Sequence, residues 1–314
     1  MSQHGRNKTE CARSIHKVGR GTEAGADVML GDRRTAEFAL ERKRMLRLSY
    51  RMLGSVTEAE DVVQDAWLRW AGNKDRVRIP AAYLTRIVTR LCLDRMKSAR
   101  ARREIYVGPW LPEPLVEPVD MYEAHTDDVT VTLMLALERL SPLERAAFLL
   151  HEVFDMALTE VAVVLDREAA TVRQLASRAR KHVQTARPRY SVGAADADRI
   201  ARAFFAAARD GDVTALSALL ASDVEIHIDG GGKVLAFRKI VRGLENALRI
   251  FVSAQRKAVT PPTLLRTAII DGLAGYVSLD PNGVLQTTAL GIRESKIFAI
   301  YIVKNPEKLT HIDA

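Results

Sequence analysis

The sequence predicts a multi-domain protein in which two all-α helical blocks precede a C-terminal α+β domain. Three observations support this fold class. Apolar residues recur at helical spacing through residues 33–106 and 128–190, a proline-rich segment separates these blocks, and alternating β-type runs dominate only the C-terminal part. The length of 314 residues is sufficient for two or three domains of about 100–150 residues.

The first block, residues 33–106, is expected to contain three helices. Apolar residues spaced for one helix face end at Gly54, which predicts the end of the first helix. Ser55 and Glu58 have the spacing of a capping box, which predicts the start of a second helix. Pro80 suits the first turn of a third, longer helix.

Residues 107–127 form a Pro-rich acidic linker, because four closely spaced prolines cannot continue a helix. In the second block, residues 128–190, the segment Ser141-Pro142-Leu143-Glu144 is a capping box with proline at its first helical position. A short helix over 159–165, a tight turn and a basic helix over 169–185 follow. This order is typical of a helix-turn-helix.

The C-terminal domain, residues 191–314, combines helices with strands. Two helical stretches, 196–221 and 243–255, are expected to pack on a curved antiparallel sheet. Turn-forming pairs at Asp271-Gly272 and Asn282-Gly283 separate some of the β-type runs. The predicted strands cover residues 224–229, 233–241, 263–271, 274–280, 283–293 and 297–303.

The net charge of +8 is unevenly distributed. Residues 33–107 hold 18 basic and 9 acidic residues, a net +9, whereas residues 108–127 hold five acidic and no basic residues. A second basic stretch covers residues 171–190. The two basic helical regions predict a polyanionic partner, and the C-terminal domain is nearly neutral. Residues 1–32 are expected to form a disordered tail.

Two cysteines, Cys11 and Cys92, form no ligand cluster, and the sequence predicts neither a metal site nor a cofactor. A reduced, cytoplasmic chain is the simplest interpretation of this cysteine usage. The sequence holds no apolar run of about 18 residues, so no membrane segment is expected.

The third predicted helix, over 81–101, has the chemistry of a phosphate-binding surface. Residues 86–103 hold seven cations and a single acid, Asp94, which is the composition of a surface that binds phosphates. A solvated surface helix is the alternative interpretation. The cations are Arg86, Arg90, Arg95, Lys97, Arg100, Arg102 and Arg103.

Trp67, Trp70 and Tyr83 flank the loop before this helix, and aromatic faces beside a cationic groove can stack unpaired bases. Trp67 is expected in the core, and Trp70, at a helix end, is expected to be the more open of the two tryptophans.

The basic helix over 169–185 is the expected recognition helix, whose N-terminal part reads bases. Arginine pairs with guanine and glutamine with adenine. We therefore expect Thr171, Arg173, Gln174 and Arg178 to face bases, and Arg180, Lys181 and Arg187 to face phosphates.

Three segments together resemble bacterial sigma-70-type transcription initiation factors. Residues 60–67, Glu60-Asp61-Val62-Val63-Gln64-Asp65-Ala66-Trp67, resemble region 2.2, which docks on RNA polymerase. Residues 83–88, followed by Asp94-Arg95, resemble region 2.4, which reads the −10 element. Residues 141–183 resemble region 4, which reads the −35 element. Regions 1 and 3 are missing, which points to the extracytoplasmic-function (ECF) group.

The resemblance implies a sigma2 domain in residues 33–106, with Asp61, Gln64 and Asp65 facing the polymerase. It also implies a sigma4 domain with a helix-turn-helix in residues 128–190. The implied −10 DNA-binding residues are Trp70, Arg86, Arg90, Asp94, Arg95 and Lys97. The implied −35 DNA-binding residues are Thr171, Arg173, Gln174, Arg178, Arg180 and Lys181.

Three further motifs resemble the ECF subgroup with a fused SnoaL-like domain, which has the NTF2-like cone fold. These motifs are Gly108–Pro114, Asp229–Lys233 and Asn305–Leu309. In this subgroup the C-terminal extension regulates the sigma core. The resemblance therefore implies a regulatory role for Trp110, Pro112, Asp229, Gly230, Gly231, Asn305, Pro306, Lys308 and Leu309.

The implied function is promoter recognition together with core RNA polymerase, whose β′ clamp and β flap are the expected docking partners. Promoter DNA is the second partner, and no enzymatic activity and no separate anti-sigma factor are expected. A small-molecule ligand in the cone domain stays open. The alternative function is a stand-alone helix-turn-helix regulator with a ligand-sensing cone.

Some relatives with the cone fold are enzymes, which makes His227 and Asp229 candidate acid–base residues. A solvent-exposed face or a hydrogen-bonded turn is the favoured interpretation of this pair. The segment Asp229-Gly230-Gly231-Gly232-Lys233 lacks the spacing of a P-loop, and its glycines predict a tight turn that lets another backbone approach. Asn305–Leu309 follows the last strand and is expected to dock on the helical domains.

Overall fold

The computed structural model of the protein describes residues 33–73, 77–104, 106–119, 130–183 and 194–313. The expected tail over residues 1–32 and the expected phosphate contact of Arg187 lie outside the described residues. The side chains of Arg100, Arg102 and Arg103 lie outside them as well.

The first helical block contains the three predicted helices. Helix α1 covers residues 33–53, and Gly54 ends it at a φ of 70°, which suits glycine. Helix α2 (Val56–Ala71) begins after Ser55, whose hydroxyl accepts a hydrogen bond from the Glu58 amide. Helix α3 (Pro80–Glu104) begins at the predicted proline.

The second helical block forms the predicted helix-turn-helix. Its turn contains Asp166 in the left-handed conformation, with φ 55°, at the position where glycine is common. The helices are α4 (Val131–Leu137), α5 (Pro142–Phe148) with a π-helical turn (Leu149–Val153), α6 (Leu158–Leu165) and α7 (Ala169–Val183).

The C-terminal domain begins with helices, but the predicted helix over 196–221 is divided. Gly211 has a φ of 66° and Asp212 caps a new helix, so α8 (Ala194–Asp210) and α9 (Val213–Leu219) are separate. A third helix, α10 (Leu244–Lys257), confirms the predicted stretch 243–255.

Seven strands of the described residues form one sheet. They are β1 (Val116–Glu117), β2 (Leu220–Asp229), β3 (Val241–Arg242), β4 (Thr263–Ile270), β5 (Leu273–Leu279), β6 (Leu285–Arg293) and β7 (Lys296–Val303). Their order in the sheet is β1-β4-β5-β6-β7-β2-β3. Strand β2 runs parallel to β7, which departs from the purely antiparallel expectation, and the other neighbours are antiparallel.

The prediction of a strand over 233–241 is wrong. Gly231 and Gly232 turn the chain with φ values of 61° and 72°, and residues 233–240 form a loop in which Leu235 is 94% exposed. Alternating apolar residues predicted a strand here, but the two glycines direct the segment away from the sheet.

The sheet is covered on both faces. Helices α8, α9 and α10 pack on one face around Phe204, Leu216 and Ile300. The other face packs against the linker, through Leu111, and against α4, through Val131. The C-terminal domain is therefore in direct apolar contact with the sigma-like part of the chain.

The linker is not an exposed tether. Leu111, Pro112, Glu113 and Pro114 are buried, and β1 extends the sheet by pairing with β4. Because β1 is an edge strand, the nearby prolines disturb no central ladder. A proline-rich composition predicted an extended segment, but not that the C-terminal domain binds it.

The two helical blocks share one continuous apolar core. Within this core Trp70 is only 2% exposed, its ring lies against Tyr83 at 5.8 Å, and its Nε1 donates to the Arg34 carbonyl at 2.9 Å. Trp67 is the less buried tryptophan. The prediction that Trp70 is more open is therefore wrong, because α1 and α3 cover the end of α2.

Arg145 on α5 connects the two blocks from a position that is 1% exposed. Its Nε donates to the Leu137 carbonyl at 2.9 Å, and its Nη1 donates to the Met52 carbonyl at 2.7 Å. Its Nη2 lies 2.6 Å from a carboxylate oxygen of Glu138. The guanidinium thus joins the end of α1 to the second block.

Replacement Arg145→Met is expected to lower the free energy of unfolding by about 3 kcal/mol, because it removes the buried ion pair with Glu138 and the hydrogen bonds to the Met52 and Leu137 carbonyls. Urea unfolding monitored by circular dichroism measures this change. The control is Arg139→Met, at an exposed site of the same block, which is expected to stay within about 0.5 kcal/mol of the parent. Equal effects of the two substitutions would contradict this role of Arg145.

Candidate nucleic-acid surfaces and the interdomain contact

The residues expected to face polymerase lie together on the outer side of α2. Asp61 and Gln64 are exposed, and Asp65 is partly exposed. Arg95 of α3 lies across this surface, with Nη1 3.3 Å from an oxygen of Asp61 and Nη2 2.8 Å from an oxygen of Asp65. Arg95 was expected to face DNA, but in this conformation it pairs with two of the acids that were expected to face polymerase. Exposed pairs of this kind contribute about 0–1 kcal/mol, so a partner can replace them.

The other expected −10 residues on α3 do not share one environment. Arg90, Asp94 and Lys97 are exposed, and Lys97 pairs with Asp94 at 2.9 Å. Arg86 instead lies partly buried in a cleft between α3 and the helix-turn-helix. That cleft is lined by Arg86, Ala162, Val163, Asp166, Arg167 and Glu168.

Helix α7 presents all the expected −35 residues to solvent. Its buried positions are Val172, Ala176, Ala179 and Val183, which keep the opposite side of the helix free. Arg180 also forms an ion pair with Glu152 of the π-helical turn. The exposed residues are Thr171, Arg173, Gln174, Arg178, Arg180 and Lys181.

Several of the expected regulatory residues lie around the fully buried carboxylate of Asp229, at the end of β2. Its Oδ1 accepts from the Tyr106 hydroxyl at 2.5 Å and from the Gly231 amide at 3.1 Å. Its Oδ2 accepts from the Leu111 amide at 2.8 Å and from Lys308 Nζ at 2.8 Å. We call Tyr106, Leu111, Asp229, Asn305 and Lys308 the Asp229 cluster.

Lys308 closes this cluster from the C-terminal side. Its ammonium group also donates to the Leu111 carbonyl and lies over the rings of Tyr106 and Trp110, at 4.9 and 4.4 Å from their centroids. The cation is thus held by a carboxylate, a carbonyl and two aromatic faces. Lys308, a member of the Asn305–Leu309 motif, therefore binds that motif to Trp110 and Leu111 of the linker motif.

The glycines of the motif allow close packing within the cluster. A Cβ on Gly231 would lie 2.4 Å from the Asn305 amide nitrogen, and a Cβ on Gly230 would lie 2.4 Å from the Val234 carbonyl. Asn305 Nδ2 also donates to the Tyr106 hydroxyl at 2.9 Å. The predicted tight turn is confirmed: a backbone group, the Val234 carbonyl, approaches Gly230, and the Asn305 side chain approaches Gly231. Pro306 is exposed, whereas Leu309 packs against the linker face of the sheet.

A second polar contact joins the first block to the C-terminal domain. The Tyr50 hydroxyl lies 2.7 Å from Asp271 Oδ1 and 2.8 Å from the Glu113 carbonyl. The phenolic proton is shared between these two acceptors, the Asp271 carboxylate and the Glu113 carbonyl. Burial raises the pKa of Asp271 to about 7, and the nearby Glu117 acts in the same direction, while the hydrogen bonds from Tyr50 and from the Leu115 amide lower it.

The linker carboxylate of Glu113 points the other way, into the first block. It accepts from the Ser55 hydroxyl and the Val56 amide, both at 2.7 Å. Its own amide donates to the Gly54 carbonyl at 2.9 Å. Trp110 packs over Gly54, where a Cβ would approach the ring to 2.7 Å. Gly54 is thus required for this approach as well as for its φ.

His227 and Asp229 do not form a free acid–base pair. His227 is largely buried against the Tyr301 ring, with Nε2 3.2 Å from Glu225, and burial lowers its pKa. Asp229 is occupied by the cluster described above. A solvent-exposed face, one of the two favoured interpretations, is therefore wrong for both residues, and the hydrogen-bonded alternative fits Asp229.

The sheet face under the linker has little free space. The cavity between Leu111, Pro114 and Tyr301 has a volume of about 10 Å³, at the limit for a single water molecule. The described residues contain no group of three or more potential metal ligands. None of the described helices is long and apolar enough to span a membrane.

Sequence reasoning missed Tyr50, Tyr106, Glu113 and Asp271. A charged or phenolic side chain beside Gly54 or in an Asp-Gly turn gives no local sign of a long-range partner. Asp271 was named only as a turn residue and Glu113 only as part of the Gly108–Pro114 motif, and neither was assigned a contact.

The profile of Sigma-70 region 2 matches residues 38–102, and the profile of Sigma-70, region 4, matches residues 130–183. The three-helix block and the helix-turn-helix together therefore define a sigma-70-type transcription initiation factor.

Relatives extend this match to the C-terminal domain. The chain is 36% identical over 294 residues to the ECF RNA polymerase sigma factor SigJ of Mycobacterium tuberculosis, covering 88% of this chain and 93% of that protein. It is 32% identical over 289 residues to the probable ECF sigma factor SigI of the same species, covering 89% and 96%. The crystal structure of SigJ matches with a TM-score of 0.72 and 33% identity, covering 88% of this chain and 98% of that chain. The chain belongs to the ECF RNA polymerase sigma factor family.

These matches confirm the predicted fold class, with two helical sigma domains and a C-terminal α+β domain. They also confirm the predicted function as a sigma factor. We refer to α1–α3 as the region 2 domain and to α4–α7 as the region 4 domain.

Substitution Asp229→Asn is expected to weaken the binding of the linker to the C-terminal domain by about 3 kcal/mol, because it leaves the buried Lys308 cation without its carboxylate. Amide hydrogen exchange at Leu111 measures the loss. The control Asp223→Asn breaks only the exposed pair with Arg293 and should change the exchange little. A second substitution, Lys308→Met, should restore part of the protection, and an unchanged Leu111 amide in Asp229→Asn would contradict the cluster's role.

Substitution Asp271→Asn is expected to remove a pH dependence of stability. Because the folded pKa of Asp271 is raised to about 7 from 3.8, its stabilisation is fully present below about pH 4 and is lost as the pH rises to about 7. The parent chain should therefore lose on the order of 2 kcal/mol more than the variant between pH 5 and pH 8. Urea unfolding at both pH values measures this difference, and parallel pH profiles would show that Asp271 does not titrate in this range.

Proposed function

We propose that the fused C-terminal domain modulates this sigma factor by stabilising a closed form, in which the two DNA-reading helices belong to one compact body. The observation that carries this proposal is the single apolar core shared by the region 2 and region 4 domains. Arg145 adds a polar contact between them, and the sheet covers Val131 of α4.

The closed form is too small to contact both promoter elements. The −10 and −35 elements are roughly 25 base pairs apart, which is about 80 Å at ~34 Å per helical turn. A domain of about 60 residues has a radius of gyration of about 10 Å, so two such domains in contact have centres about 30 Å apart. The region 4 domain must therefore move away from the region 2 domain before both elements can be bound.

In the open form, we assign polymerase docking to Asp61, Gln64 and Asp65, with the β′ clamp as the partner. The exposed residues of α3 would bind the −10 element, and α7 would bind the −35 element beside the β flap. Arg86 would become available for DNA only after the cleft between α3 and the helix-turn-helix opens. The buried position of Trp70 favours a structural role for this residue instead of base stacking.

The closed form also suggests how this sigma factor is controlled. Because the chain covers its own region 4 domain, we propose that no separate anti-sigma factor is required. The Asp229 cluster keeps the linker on the C-terminal domain and so maintains the regulatory contact. We further propose that the C-terminal domain has no catalytic activity, since its candidate acid is fully occupied by structural partners, and that the protein acts in the cytoplasm with core polymerase.

A covalent link between the region 4 domain and the C-terminal domain is expected to abolish promoter-specific transcription. The Thr132 and Tyr301 hydroxyls lie 3.2 Å apart across this boundary, so Thr132→Cys and Tyr301→Cys place two thiols for a short, cleavable thiol cross-linker. Transcription from a −10/−35 promoter with core polymerase should fall roughly tenfold or more and should recover after cleavage.

The control places the same cross-linker inside the C-terminal domain, between Arg293→Cys and Lys296→Cys, which pair across the β6–β7 hairpin. This product should transcribe normally. Cys92 is unreactive because burial raises its pKa to about 12, and Cys11→Ser is included in all samples. Full activity of the 132–301 cross-linked protein would refute the need for opening.

A further inference from the structure

We propose that Glu113 is a positioning residue for polymerase docking, because this linker carboxylate forms the N-terminal cap of the docking helix α2. The inference rests on the proposed docking role of Asp61, Gln64 and Asp65. It adds that the linker, which the C-terminal domain binds, takes part in docking by stabilising the helix that carries those residues.

The cap is formed by two residues that are distant in sequence. The first amides of a helix have no intrahelical acceptor, and the helix dipole makes this end favourable for a carboxylate. Ser55 accepts from the Glu58 amide at 3.1 Å. Glu113 Oε2 accepts from the Val56 amide at 2.7 Å and from the Thr57 amide at 3.3 Å. Ser55 and Glu113 thus divide the three amides of the first turn between them.

The two acceptors are also connected to each other. The Ser55 hydroxyl donates to Glu113 Oε1 at 2.7 Å while its oxygen accepts from Glu58. The carboxylate therefore fixes the rotamer in which Ser55 caps the helix. Removal of Glu113 would disturb the local cap as well as the long-range one.

The linker segment that carries the cap is also bound to the C-terminal domain. On one side of Glu113, the Leu111 amide donates to Asp229, and on the other side the Leu115 amide donates to Asp271 at 3.1 Å. The Asp271 amide returns a hydrogen bond to the Leu115 carbonyl at 2.9 Å. Two carboxyl groups of the C-terminal domain therefore hold the segment that delivers the Glu113 carboxylate to α2.

This arrangement gives the C-terminal domain a positive role beside its restraining one. Asp61 and Asp65 lie in the second and third turns of α2, directly after the capped turn. A capped start reduces fraying and presents the docking residues in a fixed orientation, which lowers the ordering cost of binding. The contact that restrains the region 4 domain and the contact that prepares α2 are made by different residues.

The test measures the affinity of the full chain for core RNA polymerase together with amide exchange at residues 56–58. Glu113→Ala should accelerate this exchange about fivefold and weaken polymerase binding about fivefold, and Glu113→Gln should have a smaller effect because it keeps an acceptor oxygen. Glu117→Ala, at an exposed site of the same linker, should change neither quantity.

A rescue variant distinguishes the loss of the helix cap from a general effect of the substitution on the linker. Thr57 is exposed in the first turn of α2, so Thr57→Glu provides a new carboxylate at this helix end. In the Glu113→Ala background it should restore both exchange and affinity. Unchanged or tighter polymerase binding by Glu113→Ala, or a loss that Thr57→Glu does not rescue, would overturn the inference. The combined Asp61→Ala and Asp65→Ala variant tests docking itself: normal affinity of that variant would overturn the docking assignment and the inference with it.

Discussion

The structure depends most on the need to pair the buried carboxylate of Asp229. A carboxylate without exposure to water is stable only when its oxygens are hydrogen-bonded and its charge is compensated. Its partners come from three separate parts of the chain, namely Tyr106 just before the linker with Leu111 inside it, Gly231 of the adjacent loop and Lys308 near the C-terminus. Because all of these partners are needed at once, the linker is bound at one position on the C-terminal domain. The region 2 domain is attached to this linker through Trp110, which packs on Gly54, and through Glu113, which binds the start of α2.

The uneven charge of the sequence corresponds to a division of roles among these contacts. The basic helices α3 and α7 keep exposed cations, which serve the proposed DNA contacts, while Glu113 of the acidic linker points inward. Glu113 caps α2 and Asp229 pairs with Lys308, so these two acids serve structure and do not repel nucleic acid from the surface. The C-terminal domain, with 15 basic and 13 acidic residues, is nearly neutral, which fits a regulator better than a third DNA-binding module.

Local signals predicted much of the fold, and long-range contacts account for the differences. Gly54, Ser55, Pro80 and the Ser141 capping box mark helix boundaries through chemistry within a few residues, and these boundaries are confirmed. The resemblance named Trp110, Asp229, Asn305 and Lys308, and the structure places the last three in the Asp229 cluster, with the Trp110 ring against the Lys308 cation. Trp70 and the loop over 233–240 were misjudged because burial and strand pairing depend on segments far away in sequence. Tyr50 and Asp271 are 221 residues apart, and no local pattern connects them.

Two contacts hold the closed form together: the one between the region 2 and region 4 domains, and the one between the linker and the C-terminal domain. They differ in the free energy that their separation costs, and this difference determines which contact can open. Only one of the three contacts of Arg145, the hydrogen bond to Met52, crosses between the region 2 and region 4 domains. Separation there exposes apolar surface and the Met52 carbonyl, and it removes the cation–π contacts of Arg44 and Arg51 with Phe154. Separation at the Asp229 cluster would instead take the Tyr106 hydroxyl and the Leu111 amide from a buried carboxylate and the Leu111 carbonyl from a buried ammonium group, although Asp229 and Lys308 would stay paired within the C-terminal domain. Because several hydrogen bonds to buried charged groups are lost there, separation at the cluster is the more costly of the two. A partner can shift such an equilibrium only by its differential affinity for the open form. On the docking proposed above, core polymerase would meet this requirement by binding the surfaces of both domains and covering the apolar area that opening exposes, while the linker stays on the C-terminal domain and Glu113 stays on α2.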